Sequence, residues 1–91
     1  MDRIDGNTVR LDQLPLRQTA RIAEIDWNML APNEARRLRE LGFGEGVAVE
    51  VRHHSGLFRT GPIACKVGRM TVALRRSHAA AILVTTSAIA P

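Results

Sequence analysis

Ninety-one residues, 45% of them apolar and 24% charged, are enough for one compact domain with a modest core and exclude wholesale disorder or a second independent fold. Twelve arginines and one lysine outweigh nine acids for a formal charge of +4, yet they are scattered among those acids, so charge alone does not choose between nucleic acid, anionic lipid and an acidic protein face. The single cysteine, Cys65, excludes an internal disulfide, and no run reaches signal-peptide length or the roughly 20 apolar residues that span a bilayer.

Residues 1–10 are polar and show no apolar period, so they are expected to be a loose leader. Leu11, Leu14 and Leu16 bracket Pro15, which predicts a single helical turn with its leucines over one end of a core. Thr19 to Asp26 reads as a strand with imperfect alternation. Ala20 and Ile22 share a face while Ile25 falls on the other, as a bulge would produce. Trp27 to Pro32 is then a loop, with Trp27 expected to lie partly buried.

Asn33 to Gly46, reading NEARRLRELGFGEG, predicts a short helix, a glycine corner and the start of a strand. Glu34 suits the positive end of the helix, and Gly42 follows the last periodic residue, where a left-handed stop is needed. Ala35, Leu38 and Leu41 form a narrow inward stripe, leaving Arg36, Arg37, Arg39 and Glu40 toward water. Val47 to His53 is the cleanest strand, with Val47, Val49 and Val51 on its core face. His53 to Gly61 forms a loop closed by Pro62, and its tip carries Leu57, Phe58 and Arg59. Those two apolar side chains either fold back over the domain or stand out as a contact patch.

Ile63, Cys65 and Val67, then Met70, Val72 and Leu74, alternate on either side of Gly68-Arg69, which predicts a hairpin with Gly68 at positive φ. Ser77 is expected to cap a short turn, and Ile82 to Thr85 to supply the last strand. The whole is mainly β: a small barrel of about five strands, closed on itself, with one α-helix between strands 1 and 2. The domain is expected over residues 11–85, with a tail over 86–91.

No nucleophile elbow, phosphate loop, dinucleotide fingerprint or metalloprotease pattern occurs, so no catalytic residue, cofactor or metal site is assigned. His53 and His54 are adjacent and would point to opposite faces of a strand, which does not favour joint chelation. A composite Fe(II) site drawing on His53, His54, His78 or Cys65 is the metal-binding alternative. Trp27, Phe43 and Phe58 are the whole aromatic stock, too few to supply a base-stacking platform, so nucleic-acid binding is disfavoured.

Leu38-Arg39-Glu40-Leu41-Gly42-Phe43, Gly46 and Val47-Ala48-Val49-Glu50-Val51 together resemble the LxELGFxxGxxVEV core of the ferrous iron transport protein A family, FeoA. Gly61-Pro62-Ile63, Val67-Gly68, Leu74-Arg75-Arg76 and Ala80-Ala81-Ile82-Leu83-Val84 resemble that family's second half. The likeness spans Leu11 to about Thr85. It departs from the family at Pro15-Leu16, where members often carry Pro-Gly, and in the individual Trp27–Pro32 loop.

The resemblance implies an SH3-like barrel and a cytosolic accessory of the ferrous iron transporter FeoB, not a transporter or an enzyme in itself. Leu57, Phe58 and Arg59 are then the expected partner contacts, with Arg36, Arg37 and Arg39 as a charged rim. Similar SH3-like domains end some iron-dependent DtxR-type repressors, which makes an iron-responsive or nucleic-acid-binding module the alternative. A chain beginning at Met1 with no winged helix ahead of it favours the FeoA reading. The expected location is cytoplasmic, with recruitment to the inner membrane face by the partner.

Overall fold

The computed structural model describes residues 8–54 and 61–86. Its strands are β1 (Thr8–Arg10), β2 (Thr19–Ile25), β3 (Ala48–His54), β4 (Ile63–Val67), β5 (Met70–Leu74) and β6 (Ile82–Thr85). Helices α1 (Pro32–Leu41) and α2 (Arg76–Ala79) and two 3-10 turns, Leu11–Gln13 and Trp27–Met29, lie between them. All six strands join one antiparallel sheet in the order β1-β6-β2-β3-β4-β5.

Period-two alternation builds its core face. Ala20 and Ile22 of β2, Val49 and Val51 of β3, Ile63, Cys65 and Val67 of β4, and Ile82 and Val84 of β6 are all buried. Each large aliphatic side chain so removed from water contributes about 1.5–3 kcal/mol, which explains why these short strands hold together. The irregularity in β2 is a register shift between Ile22 and Glu24 against β6, and it returns Ile25 to the core. A second shift in β3 between Val51 and His53 marks where that strand leaves the core.

The Gly68-Arg69 hairpin forms as expected, with Gly68 at φ 60°. Its second strand is only half covered. Leu74 is buried, Val72 partly so and Met70 exposed, because β5 lies at an edge of the sheet and is hydrogen-bonded to β4 alone.

Several expectations are corrected. The sheet has six strands rather than about five, and the helix falls between β2 and β3, because residues Thr8 to Arg10 of the polar leader pair with β6 as β1. Val9 lies opposite the buried Val84 and packs against the core, so pairing supplies what local periodicity does not signal. The barrel is not closed: β1 and β5 are both edges of the described sheet.

Leu11 and Leu14 cap the core, but Leu16 is 46% exposed. The chain reverses at Arg17, which takes φ 66° and donates its N–H to Val51 O at 2.8 Å, turning Leu16 outward. Helix α1 begins at Pro32, assigned to the loop from sequence; a proline at the first helical position sacrifices no hydrogen bond. Ser77 caps nothing. Helix α2 starts after Arg75, whose carbonyl accepts from His78 N and Ala79 N, both at 3.0 Å.

Gly42 ends α1 at φ 101°, and a Cβ there would touch nothing within 4 Å. Replacing it by alanine therefore tests backbone strain alone. Gly42→Ala is expected to lose about 1–2 kcal/mol in urea denaturation with an unchanged m-value. An unchanged midpoint would contradict the left-handed stop.

Candidate partner-binding surface

Helix α1 carries the arginines foreseen from sequence. Glu34 Oε1 accepts from Ala31 N–H at 2.9 Å and holds the first turn; Ala31 has no side-chain oxygen to complete a reciprocal cap. At the other end Phe43 N–H donates to Leu38 O at 3.0 Å, the bond that accompanies a left-handed glycine stop. Ala35 and Leu38 face the core and Leu41 is half-buried, which leaves Arg36, Arg37, Arg39 and Glu40 exposed.

These three arginines do not form one patch. At 3.6 residues per turn Arg36 and Arg39 share a flank, while Arg37 turns about 100° toward the other. Arg39 places its guanidinium 4.2 Å from the centroid of Trp27, a cation–π contact with an indole that is itself half-buried against the core. Arg37 instead lines a cleft of about 420 Å³ between the first turns of α1, the end of β5 and α2, together with Glu34, Leu74, Arg75 and His78.

Inside that cleft His78 Nε2 lies 3.1 Å from Glu34 Oε2. The Glu34 carboxyl is held below its ordinary value of 4.5, first by the Ala31 N–H, then by the His78 contact, and more weakly by the charges of His78 and Arg75. Neither the Glu34–His78 pair nor the cleft that Arg37 and Arg75 both line is legible from sequence, since nothing local couples α1 to α2. Only the position of Glu34 in the first helical turn gave a signal.

Leu57, Phe58 and Arg59 lie outside the described residues. The histidines next to that stretch separate. His53 is exposed, whereas His54 Nδ1 lies 3.1 Å from Arg76 Nη2, and Arg76 Nη1 donates to Asp12 O at 3.5 Å. Cys65 is fully buried, and burial pushes its thiol up to about 11, which makes it a core side chain rather than a thiolate. Among the described residues no three His, Cys, Asp or Glu side chains gather as a metal cage.

An antiparallel sheet of short strands, with one covering helix that presents separate basic flanks, defines a small β domain. The family model of the FeoA domain matches residues 9–86, and the chain belongs to the FeoA family. The FeoA of Stenotrophomonas maltophilia, described as a procaryotic SH3 domain protein and solved complexed with zinc, is 35% identical. The likeness covers 85% of this chain and 89% of that one with a TM-score of 0.68, and it makes the sheet SH3-like. The FeoA of Chlorobium tepidum is 26% identical over 86% of this chain and 70% of its own, with a TM-score of 0.74.

The T. acidophilum IdeR shares the fold alone, at 20% identity and a TM-score of 0.75, over 93% of this chain and 37% of that one. No curated protein matches the chain at the sequence level.

The Glu34 contacts carry a pH signature. Because its folded pKa is depressed, its contribution to stability is present above the unfolded value of 4.5 and is lost as pH falls through the folded one. A Glu34→Gln variant is expected to be less stable than the parent above pH 4.5, with the gap between their urea midpoints closing on acidification. A gap that stays constant through that range would contradict the assigned contacts.

Proposed function

We propose that this protein is a non-catalytic accessory of ferrous iron uptake that docks on the cytosolic domain of the FeoB transporter and modulates its activity or assembly. The observation that carries this reading is the FeoA family match over residues 9–86. The Stenotrophomonas maltophilia relative is described as a candidate ferrous iron transport activating factor, which supports placing this chain in the same process. Among the described residues no helix is long and apolar enough to cross a membrane. In this reading the membrane work belongs to the partner, and this chain acts on its cytoplasmic side.

In this reading Leu57, Phe58 and Arg59 make the central contact and the exposed Arg36, Arg37 and Arg39 form its charged rim. A few apolar and arginine anchors dominate such interfaces, whereas rim charges chiefly speed association. The nucleic-acid alternative has less to stand on. Phe43 is buried and Trp27 lies under Arg39, which leaves Phe58 as the remaining aromatic for stacking.

Co-purification from membranes that carry the transporter tests the docking. The protein is expected to be retained, and a folded Leu57→Ala/Phe58→Ala variant to bind about tenfold or more weakly. Arg36→Ala and Arg37→Ala are expected to slow association mainly at low salt. Absence of retention beside a persisting positive control would overturn the reading, and undiminished binding by the double variant would move the contact off the loop.

A further inference from the structure

The edge strand β5 has a backbone ready for pairing. Its register with β4 sets Val67 opposite Met70, Cys65 opposite Val72 and Ile63 opposite Leu74 around the two-residue Gly68-Arg69 turn. Residues flanking such a turn exchange hydrogen bonds, and the pattern alternates along an antiparallel ladder. Met70, Val72 and Leu74 therefore point their N–H and C=O groups at β4. Thr71 and Ala73 turn theirs to the open side, where no described strand lies.

Edge strands are usually blunted by charged side chains, proline or a bulge. The run Met70-Thr71-Val72-Ala73-Leu74 has none of these, and its pairing with β4 is regular throughout. Met70 is 46% exposed and Thr71 and Ala73 are exposed, so the edge is also sterically accessible among the described residues.

Charge selects the occupant. From Lys66 to Arg76 the chain carries Lys66, Arg69, Arg75 and Arg76 and no acid. Lys66 stands across the hairpin from Thr71, and Arg37 joins Arg75 in the cleft at the far end of β5. Two acids lie beside these cations and each has a partner of its own: Glu50, opposite Lys66, lies 3.6 Å from Arg52, and Glu34, which shares the cleft with Arg37 and Arg75, lies 3.1 Å from His78.

A second copy of this chain fits poorly. The antiparallel register that would use both outward pairs is centred on Val72 and sets Arg69 of each copy against Arg75 of the other, a like-charge juxtaposition.

We infer that the open edge of β5 accepts an additional strand from a partner protein, an extended segment with acidic residues at both ends. Its backbone pairs with Thr71 and Ala73, one carboxylate enters the Arg37–Arg75 cleft, and another meets Arg69 at the turn. Main-chain pairing supplies the affinity and the flanking cations the specificity. The inference names a surface that is separate from the loop and shares only Arg37 with the arginine rim, and it does not require the partner to be a transporter.

The test is an amide-resolved NMR titration and hydrogen-exchange measurement on the full chain. The probe is a capped seven-residue peptide of alternating valine and threonine with glutamate at both ends, compared with the same peptide ending in lysines. The glutamate peptide is expected to shift the β5 amides and slow exchange at Thr71 and Ala73 by about tenfold or more. An Arg69→Glu/Arg75→Glu variant, altered only at exposed positions, is expected to prefer the lysine peptide instead. Shifts centred away from β5, equal response to both peptides, an unreversed preference in the variant, or self-association through β5 without peptide would each overturn the inference.

Discussion

The sheet depends on its last strand. Ile82–Thr85 lies between β1 and β2 and pairs with both, and its Ile82 and Val84 are fully buried. Asp26 N–H extends this seam by donating to Ala81 O at 2.8 Å. Residues from the two ends of the domain thus share one ladder. Its pairings are among the most distant in sequence, so much of the closure entropy is spent before they form. The short helix α2 sets the entry of this strand, with Ala79 and Ala81 buried against the same core.

A second constraint aims the exposed helix. Gly42 stops α1 in the left-handed region, Phe43 plugs the core, and Gly46 at φ 85° donates its N–H to Ile22 O at 2.7 Å. Ile22 N–H returns a bond to Val47 O at 2.9 Å, and Arg21 Nη1 donates to Gly46 O at 2.9 Å. The corner is thereby fastened to β2 before β3 begins. With both ends of α1 fixed, its arginines cannot rotate as a group, and the helix offers Arg36 and Arg39 on one flank and Arg37 on the other. Proposed contacts on this face inherit that division.

What could be read from the sequence follows from the range of each signal. The β3 alternation, the Gly68 hairpin, the β2 bulge and the inward stripe of α1 are local patterns, and each appears where its residues put it. Strand β1 was hidden because a single inward valine in a polar triplet has no period; only pairing with β6 makes it a strand. The outward turn of Leu16 depends on the left-handed Arg17, a conformation that arginine does not announce. Barrel closure was over-read because strand count does not decide whether the two edge strands meet. On the surface the exposed arginines were legible, but their partners were not. Trp27 meets Arg39, and Glu34 meets His78, only through tertiary packing. The family resemblance was legible for the opposite reason, since it rests on the order of many local motifs.

The central claim is that a FeoA-family domain uses the outer side of α1 with the Leu57–Arg59 segment to dock on its transporter. An amide perturbation map of the labelled protein, titrated with the cytosolic domain of the ferrous iron transporter, tests this most directly. The account predicts saturable shifts at residues 57–59 and on the exposed side of α1 around Arg36, Arg37 and Arg39, with the buried strand amides of β6 unmoved. Saturable shifts confined to other surfaces, or none at concentrations where the transporter domain is folded and active, would contradict it.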